Sequence, residues 1–97
     1  MKAAKFDAAE YLEDQADVVA YLEAALEEDD PQFFIKALGT VARSKGMTEL
    51  ARKSGIGRES LYKALSEVGN PGFATVFQAL DAMGLTLRVE AKTPAMA

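Results

Sequence analysis

The run Met47-Thr-Glu-Leu-Ala-Arg-Lys-Ser-Gly-Ile-Gly-Arg-Glu-Ser-Leu-Tyr-Lys-Ala-Leu65 constrains this chain more than any other part of it. It reads as two short helices joined by a sharp glycine turn. Leu50 and Ala51 face inward from the first helix, and the small Ala51 lets the second cross close by. Gly55 falls where the chain leaves that helix and needs a positive φ that a side chain would resist. Ile56 plugs the turn, and Leu61 and Leu65, four apart, give the second helix its buried edge. This is the residue logic of a helix-turn-helix, whose second helix enters the DNA major groove. Any tight helical hairpin also needs a glycine and buried leucines, so the motif has a purely structural reading as well.

The charge distribution bears on that choice. The 97 residues carry a net charge of −4, which on its face disfavours a nucleic-acid partner. The charge is segregated, however. Residues 1–30 hold two lysines and ten acidic residues, a net of −8, whereas residues 31–97 hold nine basic and five acidic residues, a net of +4. Within 36–63 stand Lys36, Arg43, Lys45, Arg52, Lys53, Arg58 and Lys63, opposed only by Glu49 and Glu59. Screening reaches about 8–10 Å at physiological salt, so a local positive face acts independently of a distant acidic segment. The plainer alternative is a set of ordinary solvated lysines and arginines.

Composition removes several function classes. There is no cysteine, which excludes disulfides and thiolate metal sites, and no histidine, the commonest neutral-pH base and metal ligand. The acids are plentiful but are paired with no base, metal-ligand cluster or phosphate loop, and Gly55-Ile-Gly57 lacks the rest of a nucleotide fingerprint. The expectation is a non-enzyme without cofactor or metal. No apolar run approaches the roughly 18 residues of a membrane span, and Met-Lys-Ala-Ala-Lys-Phe-Asp7 lacks a secretory core. A cytoplasmic protein with no membrane partner is expected.

The length suits a single domain, residues 1–97. An acidic helical extension is expected over 6–30. Asp7 and Glu10 form a capping-box-like start to a brief helical turn with Phe6, Tyr11 and Leu12 as packing anchors. A helix from Ala16 to Glu28 follows, with Val18, Leu22, Ala25 and Leu26 at helical spacing. A core is expected over 31–84. Asp30-Pro31 caps and starts a helix running to about Ser44, burying Phe34, Ile35, Leu38, Val41 and Ala42, and closing at Gly46. After the turn motif, Val68-Gly-Asn-Pro-Gly72 breaks the chain. Phe73, Val76, Phe77, Leu80 and Met83 then recur at helical spacing, an apolar stripe most economically read as core. Leu85-Thr-Leu-Arg-Val-Glu90 alternates apolar and polar, the pattern of a half-buried strand, and 91–97 reads as a flexible tail. The fold class is therefore all-α: a five- to six-helix, repressor-like helix-turn-helix domain with a short C-terminal β-strand.

A lone strand cannot satisfy its backbone donors and acceptors inside a helical monomer. Pairing or packing of residues near 76–90 between two subunits is expected, giving a homodimer with two second helices about one DNA turn apart. The alternative is a strand-like tail lying on its own core. With Leu61 and Leu65 turned inward, Arg58, Glu59, Tyr62 and Lys63 face outward. Arg58 can reach a phosphate or a guanine edge, Lys63 a phosphate, and Tyr62 a thymine methyl or phosphate. Glu59 accepts from cytosine or orients Arg58, and Ser60 reaches phosphate. Arg52 and Lys53 flank the turn as backbone contacts, and Thr48 is counted with them.

Gly46-Met-Thr-Glu-Leu-Ala-Arg-Lys-Ser-Gly-Ile-Gly-Arg-Glu-Ser-Leu-Tyr-Lys-Ala-Leu-Ser66 resembles the helix-turn-helix of the probable antidote (antitoxin) proteins of bacterial addiction modules, within the phage-repressor-like XRE/Cro superfamily. Asn70 to Val89, Ala20 to Glu28 and Asp30-Pro31 extend the likeness to roughly residues 6–90. The resemblance implies an antitoxin that binds operator DNA, represses its own two-gene operon and neutralises a RelE/ParE-superfamily toxin. It leaves the toxin-binding surface unknown. A phage-type repressor without a toxin partner is the alternative, and an interaction module that has lost DNA binding is a third reading. Gly57 stands where the family often has a capping serine. Such a toxin, gripping RNA, is expected to be basic, and residues 7–30 offer a complementary acidic surface.

Overall fold

The computed structural model describes residues 14–66 and 68–93. Among them are five α-helices and no strand: α1 (Gln15–Leu26), α2 (Pro31–Lys45), α3 (Met47–Ser54), α4 (Arg58–Ala64) and α5 (Phe73–Ala82). The capping-box turn at Asp7–Glu10, with Phe6, Tyr11 and Leu12, lies outside the described residues, as does 94–97.

Each helix end has a local cause. The Asp14 carboxylate accepts the Asp17 N–H at 2.9 Å and starts α1. Asp30 does the same for α2, accepting from Gln32 at 3.0 Å and Phe33 at 3.4 Å, with Pro31 at the first helical position. Between them Asp29 takes φ 58°, a left-handed conformation that aspartate tolerates better than most residues. Gly46, at φ 95°, separates α2 from α3. At the end of α5 the Gly84 N–H donates to the Asp81 carbonyl and the Leu85 N–H to the Leu80 carbonyl, at 3.0 and 2.9 Å. That pair of bonds around a left-handed glycine is a Schellman stop.

The core lies at the middle of α2, where Leu38, Val41 and Ala42 have no exposure. Val18, Leu22 and Ala25 of α1 pack there, with Met47 and Leu50 of α3, Leu61 and Leu65 around α4, and Ala79, Leu80 and Met83 around α5. Helix α1 is thus part of the core rather than an appendage. Gly39 admits the end of α4: a Cβ at this position would collide with the Leu65 carbonyl. Gln15 ties three helix ends together, donating to the Met83 carbonyl at 3.1 Å and accepting from Lys45 Nζ at 2.8 Å.

Three expectations need correction. Residues 85–90 form no strand, because no second extended segment of the described chain lies alongside to take up their hydrogen bonds. The α5 stripe is core only in part: Leu80 and Met83 are buried and Val76 half-buried, but Phe73 is 70 % and Phe77 52 % exposed. Leu26, placed with the apolar positions of α1, is also exposed, because it lies beyond the last residue of α1 that faces the core.

Candidate nucleic-acid interface

Helices α3 and α4 meet through the three-residue turn Gly55–Gly57. The Gly55 N–H donates to the Ala51 carbonyl at 3.0 Å, and Gly55 adopts φ 79°, the left-handed value its position in the sequence required. The Ser54 hydroxyl accepts the Ile56 N–H at 3.1 Å, which holds the half-buried Ile56 over the corner. Leu50, Leu61 and Leu65 are buried. Gly57 precedes α4 without any side-chain cap.

Burying Leu61 turns the rest of α4 outward. Arg58, Glu59, Ser60, Tyr62 and Lys63 are all exposed, as are Thr48, Arg52 and Lys53 on α3. The structure joins two of these directly: the Arg58 guanidinium lies over the Tyr62 ring, 5.5 Å from its centre. A cation held over an aromatic face one helical turn away is restrained before any ligand arrives. Arg58 and Lys63 have no carboxylate partner among the described residues.

Other cations of the 36–63 cluster are occupied. Arg52 pairs with Glu49 one turn earlier on α3, through both its Nε and a terminal nitrogen. That hydrogen bond is the main reason the Glu49 carboxyl sits below the usual carboxylate range and the Arg52 guanidinium above its own. Lys45 is bonded to Gln15, and Lys36 and Arg43 each engage a neighbour. The exposed positive edge of this region therefore narrows to Lys53, Arg58 and Lys63. Sequence reasoning placed Arg52 with Lys53 as a phosphate-backbone contact. The signal was present in the spacing of Glu49 and Arg52, since residues three apart on a helix are neighbours.

The acidic segment lies elsewhere. Helix α1 packs against α2, whereas α4 packs mainly against α3. The exposed acids Asp17, Glu23, Glu27, Glu28, Asp29 and Asp30 form no ion pair with Arg58 or Lys63. Among the described residues no group of three or more acids could hold a metal ion, and no helix is long and apolar enough to cross a membrane.

A family model described as "Probable addiction module antidote protein" matches residues 2–91. The chain belongs to this family. A protein of Haemophilus influenzae, described only as uncharacterized, is similar at 45 % identity over 85 residues, covering 88 % of each chain. No solved structure matches. The match spans all five helices.

Proposed function

We propose that this chain is a DNA-binding antitoxin that neutralises a RelE/ParE-superfamily toxin and represses its own operon, acting as a homodimer and catalysing no reaction. Two observations support the two halves of that reading: family membership for the toxin partner, and the exposed, uncompensated Arg58–Tyr62–Lys63 edge for DNA. The edge is the observation that carries DNA binding. A helix packed by Leu61 and Leu65 and displaying a positive opposite side is what a helix-turn-helix offers the major groove. In a two-fold dimer, two such helices about 34 Å apart would meet successive turns of duplex. Membership in an antidote family disfavours the alternative of a repressor without a toxin.

On DNA, Arg58 is placed for a guanine edge or phosphate, with Tyr62 holding the guanidinium. Lys63 and Lys53 serve phosphates, Ser60 and Thr48 are hydroxyls within reach of the backbone, and Glu59 orients Arg58 or meets cytosine. Arg52 contributes once it leaves Glu49. The toxin is assigned to α1. Val19 and Leu26, exposed and seven residues apart, lie on one side of the helix with Glu23 between them. Apolar anchors rimmed by acids suit a basic partner.

Retardation of DNA from upstream of the gene tests the DNA half. Arg58→Ala costs about 1–3 kcal/mol at the operator if it reads a base, whereas Lys63→Ala weakens every sequence alike and flattens the salt slope by about one. Unchanged binding in both variants would remove this assignment. For the toxin half, the product of the adjacent gene co-purifies with the wild-type chain and is lost with Glu23→Lys/Leu26→Ala. Full retention by that variant would move the toxin site off α1.

A further inference from the structure

Beyond the Schellman stop, residues 86–93 run without helix or strand and make no backbone hydrogen bond to the rest of the described chain. Their sequence nevertheless alternates. In extended form Leu85, Leu87, Val89 and Ala91 share one side, and Thr86, Arg88, Glu90 and Lys92 the other. Val89 is 99 % exposed. Leu87 lines a shallow groove with Phe77, Leu80 and Leu85, and the Phe77 ring sits 6.0 Å from that of Phe73. An apolar strip therefore leads from exposed Phe73 through Phe77 and Leu87 toward Val89, beside backbone that lacks partners.

The segment's own charges identify the occupant. Antiparallel pairing of two copies about a two-fold at Val89 sets Arg88 opposite Glu90 of the partner subunit, twice. The same register places Leu87 opposite the partner's Ala91, and Thr86 opposite the partner's Lys92. Moving the two-fold to residue 88 or 90 would set arginine against arginine or glutamate against glutamate, which destabilises a directly opposed pair. A segment complementary to itself in one register and repulsive in its neighbours is matched to a second copy of this chain.

We infer that residues 85–93 become a strand by pairing antiparallel with the same segment of a second copy, centred on Val89, and that the second copy covers the Phe73–Phe77–Leu87 strip. This deepens the two-fold reading given above and rests on it. A dimer joined elsewhere would leave that reading intact and sink this one.

The chain has no cysteine, so single-cysteine variants report the register cleanly. Val89 and Thr86 are both exposed, and replacing either leaves the core untouched. The full chain should sediment as a dimer at high micromolar concentration, and mild oxidation should lock Val89→Cys into a covalent dimer. Thr86→Cys should stay reduced, because the two residues 86 would lie about 20 Å apart, six strand positions. Arg88→Glu should raise the dimer dissociation constant about tenfold, and adding Glu90→Arg should restore it. A 10 kDa species throughout would overturn both the dimer and the register. A dimer in which Thr86→Cys cross-links and Val89→Cys does not would overturn the register alone.

Discussion

Glu49 and Arg52 show how a single pair sets the charge on offer at the corner. Both are exposed, so water screens their attraction and the pair adds little to stability. Its weight lies in occupying Arg52. Glu49→Gln frees that guanidinium and removes a negative charge beside Lys53. The affinity for duplex DNA should rise, and the slope of log K against log salt should steepen by about one contact's worth, near 0.9. Anisotropy titrations at several salt concentrations would show it. Because the Glu49 carboxyl titrates below its unfolded value, whatever the pair adds to stability is present at neutral pH. It is lost only as pH falls through the lowered folded value.

Gly57 is the second informative residue. With φ −58° and ψ 146°, and nothing within 4 Å of where a Cβ would stand, it accepts a side chain without strain. A serine hydroxyl there could accept an N–H from the first turn of α4. Gly57→Ser should stabilise the fold by a few tenths of a kcal/mol, about 1–3 °C in melting temperature by calorimetry.

Among elements, Gly39 lets the middle of α2 approach the end of α4. Gly39→Ala pushes a methyl group into the Leu65 carbonyl. The expected cost is about 1–3 kcal/mol, because backbone rather than a pliable side chain must yield. Denaturant unfolding would measure it, and a neutral result would mean that α4 can shift without penalty. Nothing in the linear pattern singled out Gly39, since the reason for glycine inside a helix is a neighbour distant in sequence. The ends of α2 were legible because Asp30, Pro31 and Gly46 act on their own flanking backbone, whereas the Asp14 cap of α1 was not singled out. Leu50, Leu61 and Leu65 were legible for a related reason: spacing shows which residues share a side. Spacing does not show whether another element covers that side. Phe73 and Phe77 fit the same stripe as Leu80, yet the described chain leaves both more than half exposed. Residues 85–90 likewise have a strand's alternation without the partner that makes a strand.

At the scale of the whole molecule, a net-negative chain presents two electrostatically separate surfaces. Acids crowd α1 and the turn after it, while Arg58 and Lys63 of α4 have no carboxylate partner among the described residues. On the proposed reading, the acids of α1 would meet a basic protein and the cations of α3 and α4 a polyanion. In that proposal α4 carries the polyanion side, and a single salt titration probes it. Binding of the intact chain to duplex from upstream of its own gene is followed by anisotropy from 50 to 200 mM salt, beside Arg58→Ala/Lys63→Ala. The wild type should bind with log K falling linearly in log salt, and the double variant should bind at least tenfold more weakly with a slope shallower by about one to two. Wild-type binding that ignores salt, or a double variant that matches the wild type at every concentration, would contradict the account.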